Sequence, residues 1–441
     1  MREYAYFGTS DGASVKLLPR GYRSKRNVYT IVVGKNAVGK SRLLAQLAKE
    51  RLSSENDRVV AVSTSPFDKF PTTRRHLQQP ESSYAYVGMR DGAYAASSSV
   101  SLIASAAKGL IRKLDDDVAL ADLAHVFDSM GLEPYARFAL KLSTSMPTGM
   151  FRRSEPSDFS RHPRLAALSE ALDLPLSEPL ANRLLRLSDQ KIAELRGVAK
   201  QLRGGAKGAP TTTFVEVNFA RGRATAENGF LHGRSLGAIA EALEVGLVRL
   251  TDIELHKTGF GSLSLKRASS GEQCLLVLLL GIAGHIENHT LVLIDEPEIS
   301  LHPKWQEDFM QMLIRAFDRY QGCQFVIATH SPQIISRLIR EDCFVASLSR
   351  QQLYDASHFS NRSADFQLAE LFDAPGLMNE YISRLAFSVL ARLKAREAVS
   401  EEISSDFERL KSLARHVEKK DPTHELVGSV AEAFKYYADR R

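Results

Sequence analysis

Short, nearly continuous apolar runs recur along this chain. The clearest are Val28-Tyr29-Thr30-Ile31-Val32-Val33, Val59-Val60-Ala61-Val62, Leu291-Val292-Leu293-Ile294 and Phe325-Val326-Ile327-Ala328. Runs without in–out alternation belong to strands buried on both faces of a parallel sheet. Helical spacing follows them, through Leu43, Leu44, Leu47 and Ala48 after the first run, and through Trp305, Phe309, Leu313 and Phe317 between the last two. Aromatic-rich stretches broken by Gly8, Asp11-Gly12 and Pro19-Arg20-Gly21 predict a β-hairpin over residues 1–26.

Between about 72 and 210 the character changes. Leu120, Leu123, Val126, Phe127 and Met130 share a helical face, as do Ile192, Leu195, Val198 and Leu202. A loop with Arg152, Arg153, Arg161 and Arg164 separates them, and Gly204-Gly205-Ala206-Lys207-Gly208 ends the segment. No heptad is sustained, so an α-helical insertion is predicted and a long coiled coil is not. Strand sequence returns at Thr212–Phe219 and Leu247–Leu255, with a helix around 235–245 between them. Beyond about 362 the periodicity is helical again, through Ile382, Leu385, Val389 and Leu393, then Ile403, Phe407, Leu410 and Ala414, then Leu426, Val430 and Phe434. The expected division is 1–71 and 211–350 as two parts of one α/β head, 72–210 as the insertion and 351–441 as a helical C-terminal region.

Composition changes this picture little. The 441 residues are 44% hydrophobic and 25% charged, as in an ordinary globular protein. A net charge of +6 permits contact with nucleic acid without requiring it. The three cysteines, Cys274, Cys323 and Cys343, lack metal-ligand spacing and fit a reducing cytoplasm. The longest apolar stretch, Cys274 to Ala283, is about half what a bilayer requires. No apolar signal segment follows Met1, so a soluble, cytoplasmic protein without membrane contact is expected.

Candidate chemistry changes it a good deal. Gly34-Lys35-Asn36-Ala37-Val38-Gly39-Lys40-Ser41 stands between a predicted strand and a predicted helix, the context in which G-x-x-x-x-G-K-S is a P-loop. Backbone N–H groups from Gly34 through Asn36 and Ala37 to Gly39 can wrap a phosphate, with Lys40 reaching the outer phosphates and Ser41 ligating Mg²⁺. The run Leu291–Ile294 ends in Asp295-Glu296-Pro297-Glu298, which places Asp295 for the metal and Glu296 to polarise a water. The run Phe325–Ala328 ends in Thr329-His330-Ser331-Pro332, where His330 can meet a γ-phosphate or orient that water. Ser269-Ser270-Gly271-Glu272 opens the apolar helix and offers a second phosphate-binding helix start. His302, in Ile299-Ser300-Leu301-His302-Pro303, is either part of a surface crossing to a partner or a loop cap.

Together these motifs resemble an ABC-type P-loop NTPase head: a mixed sheet flanked by helices, here with a large α-helical insertion and a helical C-terminal extension. Glu298-Ile299-Ser300-Leu301-His302-Pro303 is similar to the branch shared by RecF-like, SMC-like and OLD-like ATPases. Ser65-Pro66-Phe67-Asp68-Lys69-Phe70, the insertion and the tail look most like PtuA, the ATPase of Septu and retron-associated antiphage systems, with the PARIS-type ATPase a near competitor. The resemblance implies ATP and Mg²⁺ as cofactors and a homodimer or higher homo-oligomer. In it the P-loop, Asp295, Glu296 and His330 of one subunit face Ser269, Ser270, Gly271 and Glu272 of another. It further implies an effector nuclease as partner, an HNH protein by preference, and contact with DNA or reverse-transcribed DNA–RNA. The alternative expectation is a RecF/SMC-like clamp on duplex DNA, with the four arginines as phosphate contacts. A transporter subunit fits poorly. One departure concerns the glutamine such heads carry after the second strand: the loop reads Ser65 to Pro71, and Gln78 and Gln79 come later. No nuclease motif of the chain's own is visible, and Asp115-Asp116-Asp117 reads as a helix start.

Overall fold

The computed structural model describes residues 7–8, 14–22, 24–52, 58–71, 83–90, 99–113, 124–143, 163–172, 176, 178–202, 212–221, 223–226, 229–231, 233–338, 340–396 and 399–439. Two short strands, β1 (Phe7–Gly8) and β2 (Ser14–Val15), pair antiparallel as the predicted hairpin. Five strands then build most of the central sheet: β3 (Val28–Val33), β4 (Val59–Ser63), β5 (Tyr84–Gly88), β12 (Leu291–Asp295) and β13 (Gln324–Ala328). With β14 (Cys343–Ser347) and β15 (Gln352–Asp355) the order is β15-β14-β3-β13-β12-β4-β5, parallel except for the β14–β15 pair.

Each central strand is buried on both sides, which explains its unbroken apolar sequence. Tyr29, Ile31, Val60, Val62, Val292 and Ile294 point into one core. Val32, Val59, Ala61, Leu291 and Leu293 point into the other, beneath Leu43, Leu44, Leu47 and Ala48 of the helix Lys40–Leu52. The apolar helix Ser270–Ala283 is enclosed by the first core, with Cys274 and Leu276 to Ala283 buried, so it needs no polar face.

A second sheet is antiparallel: β11 (Gly261–Ser264), β10 (Val248–Lys257), β6 (Leu132–Leu142), β7 (Thr213–Asn218), β8 (Arg223–Ala226) and β9 (Gly229–Leu231), in that order. The stretch 72–210 is thus helical only in part. Its helices include Ser99–Arg112, Pro163–Leu172, Glu178–Leu184 and Asp189–Leu202, but β5 is the edge of the central sheet and β6 the middle of the second. The reason is non-local. Strand β6 is held by β7 and β10, far along the chain, and β5 is a short run that only pairing with β4 makes a strand. Of the residues singled out there, Leu120, Leu123, Asp115 to Asp117, Gln78, Gln79, Arg152, Arg153, Arg161 and Gly204 to Gly208 lie outside the described residues.

The C-terminal region opens with β15 and then turns helical, over Ala364–Glu370, Glu380–Arg396, Glu401–Ala414 and Pro422–Ala438. Its helices have a core of their own, made by Ile382, Val389, Leu393, Ile403, Phe407, Leu410 and Val430, with Phe407 stacked on Phe434 at 4.0 Å between ring centroids. Ser400 and Asp421 cap the last two helices. No described helix is long and apolar enough to cross a membrane.

Candidate nucleotide site

Parallel pairing puts the ends of β3, β4, β12 and β13 side by side, since Asp295 is level with both Ser63 and Ala328. In an open α/β sheet this C-terminal edge is where ligands gather. The P-loop turns at the end of β3. Ala37 and Gly39 take φ of 63° and 105°, the left-handed backbone that a phosphate-wrapping turn requires. Asn36 and Ala37 are exposed, Gly39 is half-buried, and Lys40 opens the helix.

Lys40 is buried and bent back over its own loop. Its Nζ donates to Gly34 O at 2.9 Å and Lys35 O at 3.2 Å, and lies 3.2 Å from His330 Nδ1. Burial pushes this amine down to about 8, against the attraction of Glu296, Glu298 and Asp295. An ammonium only donates, so His330 Nδ1 accepts and its proton sits on Nε2, which faces Glu296 Oε1 at 3.6 Å. Burial and then Lys40 push the His330 imidazole down to about 4, so at neutral pH it is uncharged.

The acidic strand end meets the P-loop helix directly. Ser41 Oγ donates to Asp295 Oδ1 at 3.1 Å, and Asp295 is 2% exposed. Burial pushes its carboxyl up to about 7, opposed by the Ser41 bond and reinforced by Glu296, Asp68 and Glu298. Such a site gains by a dication beside it. The Ser41 hydroxyl and the Asp295 carboxylate are oxygen donors suited to Mg²⁺, which takes few protein oxygens and fills its shell with phosphate and water. Among the described residues no cluster of three or more His, Cys, Asp or Glu offers a different kind of metal site. Glu296 itself sits at φ 51°, its N–H held by Ala328 O at 2.9 Å, on the turn that leaves the sheet.

Three residues of this edge take roles that the motifs did not assign to them. Glu298 accepts from His330 N at 2.6 Å and from Thr329 Oγ1 at 2.8 Å, so it holds the turn that presents His330. The signal was the third acid of Asp-Glu-Pro-Glu, which motif spacing alone could not distinguish from a loop acid. Thr329 relays that hold by accepting from Ser331 N at 3.0 Å. Asp68 closes the loop after β4, with its buried carboxylate accepting from Phe70 N at 3.0 Å, Tyr86 Oη at 2.7 Å and Arg90 Nε at 3.2 Å. The glutamines considered for that loop, Gln78 and Gln79, are not among the described residues.

The second phosphate-binding candidate is a well-formed helix start. Ser269 caps the helix Ser270–Ala283 in a capping box with Glu272: Ser269 N donates to Glu272 Oε2 at 3.2 Å, and Glu272 N to Ser269 Oγ at 3.3 Å. Ser270 is exposed on the first turn, whereas Gly271 is buried against the loop after β12. A Cβ at Gly271 would meet Ser300 O at 2.8 Å and Trp305 at 3.0 Å, so only glycine fits without a shift. The side-chain partners of this turn are local, Leu265 O for Gln273 at 2.7 Å and Glu272 for Lys257 at 4.0 Å, and not P-loop residues of the same chain. His302 is a helix cap, its Nδ1 accepting from Lys304 N at 3.3 Å.

The protein-family profile described as "AAA domain, putative AbiEii toxin, Type IV TA system" matches residues 149–336, a span that holds the Ser269–Glu272, Asp295–Glu298 and His330 motifs and begins after the P-loop. The retron Vc95 probable ATPase of Vibrio cholerae serotype O1 biovar El Tor is 34% identical over 101 residues, 20% of this chain and 19% of that protein. The retron Ec83 probable ATPase of Escherichia coli is 34% identical over 84 residues, 17% of this chain and 15% of that protein. Protein ea59 of Escherichia phage lambda is 32% identical over 89 residues, 20% of this chain and 17% of that protein. The chain therefore spans less than a fifth of the length of these curated relatives.

Proposed function

We propose that the chain is a P-loop ATPase of the ABC/AAA type that binds and hydrolyses ATP as a dimeric switch in antiphage defence, controlling an associated effector nuclease; the family match and the retron ATPase relatives support this reading. The observation that carries this reading is the meeting of Lys40, Ser41, Asp295, Glu296 and His330 at one sheet edge, linked by contacts of 3.1 to 3.6 Å. In this reading Gly34, Asn36, Ala37 and Gly39 wrap the phosphates with backbone N–H groups and Lys40 neutralises their charge. Ser41 and Asp295 hold Mg²⁺, which supplies charge neutralisation on the outer phosphates. Glu296 takes a proton from the attacking water, and neutral His330 donates its Nε2 proton toward that water or the γ-phosphate.

The second half of the site comes from another copy. The capping box occupies Ser269 Oγ and Glu272, yet leaves Ser270 exposed on a helix start rich in backbone N–H groups. Set against the P-loop of a second chain, Ser269 to Glu272 complete the phosphate cage, and the two-fold repeat makes two such sites. ATP closes the pair and hydrolysis releases it. The retron names of the relatives support a defence setting, and nuclease control by way of the helical C-terminal region belongs to the same proposal.

The deciding experiment uses Glu296→Gln, which keeps the side chain's size and removes its basicity. With Mg²⁺ and ATP this variant should double in mass by analytical ultracentrifugation and return to the starting mass on nucleotide removal. A variant that demonstrably binds ATP yet keeps its mass would sink the dimer, and hydrolysis at the wild-type rate would sink the role of Glu296. Steep, ATP-dependent and salt-sensitive affinity for duplex DNA would favour a DNA clamp instead.

A further inference from the structure

The phosphate-binding loop does not rest only on the central sheet. Its first peptide, Gly34–Lys35, is gripped by residues that come from beyond β14. Lys35 N donates to Ser349 Oγ at 3.2 Å, and Lys35 Nζ lies 3.3 Å from His416 Nδ1, at the end of the helix Glu401–Ala414. The same peptide carries Lys40, because Gly34 O accepts from its ammonium, as does Lys35 O of the next peptide. A Cβ at Gly34 would meet Ser349 Oγ at 3.2 Å, so the loop and the 348–349 turn are in close contact as well.

His416 is itself held. Facing an ammonium, its Nδ1 must accept, which puts the proton on Nε2, 3.7 Å from Asp373 Oδ1. Burial and then Lys35 push this imidazole below its ordinary value, which keeps the Nδ1 lone pair free, while Asp373 pulls the other way and Arg350 and Arg415 add to the downward push. Asp373 accepts from Arg350 Nη2 at 3.1 Å, Arg350 lies 3.5 Å from Glu370, and Glu370 accepts from Arg409 Nε at 2.6 Å and Tyr381 Oη at 3.0 Å. A series of polar contacts of 2.6 to 3.7 Å therefore runs from the P-loop into the helices Glu380–Arg396 and Glu401–Ala414.

We infer that the C-terminal helical region is part of the nucleotide site, with His416 as a positioning residue that acts through Lys35 on the peptide carrying Lys40. This rests on the reading of the P-loop as an ATP site and deepens it. Coupling is reciprocal, so whatever moves the C-terminal helices changes ATP affinity, and ATP in turn steadies those helices. The effect is a tuning one, because the Lys35–His416 contact is exposed and such pairs contribute modestly.

The test measures Mg²⁺-dependent binding of a fluorescent ATP analogue to the full chain and to Lys35→Ala, His416→Ala, the double variant and His416→Asn. Each alanine should weaken binding about three- to tenfold. The double variant should lose no more than either single, as expected of residues acting as one unit. Asn presents an amide oxygen near the place of Nδ1 and should stay within about twofold of wild type. In hydrogen exchange, nucleotide should slow the amides of 401–417 in the wild type and not in His416→Ala. Wild-type affinity in His416→Ala, losses that multiply in the double variant, or no rescue by Asn would overturn the inference while leaving the ATP site intact. Binding by Lys40→Ala as tight as wild type would instead remove the ATP-site reading, and this inference with it.

Discussion

Glu298 offers the sharpest quantitative test of the site, because its role is visible only in three dimensions. Glu298→Ala removes the acceptor of both His330 N–H and Thr329 Oγ1–H, at 2.6 and 2.8 Å. Hydrogen bonds to a charged group are worth about 1.5–3 kcal/mol each, a gross loss of roughly 3–6 kcal/mol. Part of this returns, since burial raises the Glu298 carboxyl above its ordinary value and the variant no longer keeps a charge there. Two donors near the core are meanwhile left without an acceptor. The expected net cost is about 2–4 kcal/mol. Glu298→Gln keeps one carbonyl oxygen for His330 N–H and turns its amide toward a hydroxyl that can accept, so about 1 kcal/mol is expected. Trp305, the single tryptophan of the chain, lies partly buried on the helix Pro303–Ala316 that follows this loop. Its fluorescence can follow urea unfolding of both variants without a label. ATPase rate should fall in Glu298→Ala even where the protein is folded, because the His330 turn loses its anchor. Equal midpoints for the Ala and Gln variants, or an Ala variant within about 0.5 kcal/mol of wild type, would refute the clamp.

Lys40→Ala should abolish measurable ATP binding in calorimetry, since it removes the one buried cation of the P-loop; unchanged affinity would overturn the assignment. Asp295 must lose its proton to ligate a metal, and its carboxyl is pushed up to about 7. Magnesium-dependent ATP affinity should therefore fall as pH drops below about 7, by up to about tenfold per unit, relative to the same titration without magnesium. On the other side Lys40, pushed down to about 8, loses its charge as pH rises past that value. A profile flat between about pH 6 and about pH 7 would show that Asp295 does not control metal binding. Gly271→Ala should shift the loop at Ser300, because the added Cβ would lie 2.8 Å from its carbonyl. We expect loss of ATP-driven dimerisation with ATP binding by the monomer retained, read by sedimentation and calorimetry.

Much of this protein is legible in its sequence because its central strands are buried on both faces and the G-x-x-x-x-G-K-S turn has few backbone solutions. The runs ending at Val33, Ile294 and Ala328, the G-x-x-x-x-G-K-S turn and the helices of the C-terminal region all follow from local periodicity and from glycine's access to left-handed backbone. Which residues meet is another matter. That Ser41 touches Asp295, that Lys40 reaches His330, and that Glu298 rather than a loop acid holds the His330 turn depends on the parallel register of β3, β13, β12 and β4. Strands β5 and β6 were hidden inside a stretch that reads as helical, because short or half-polar strands exist only through pairing with distant partners. The grip of His416 on Lys35 joins residues 381 positions apart, and no pattern along the chain encodes it. Local sequence determined the parts and their chemistry, and the sheet register and the docking of the C-terminal helices decided which parts act together.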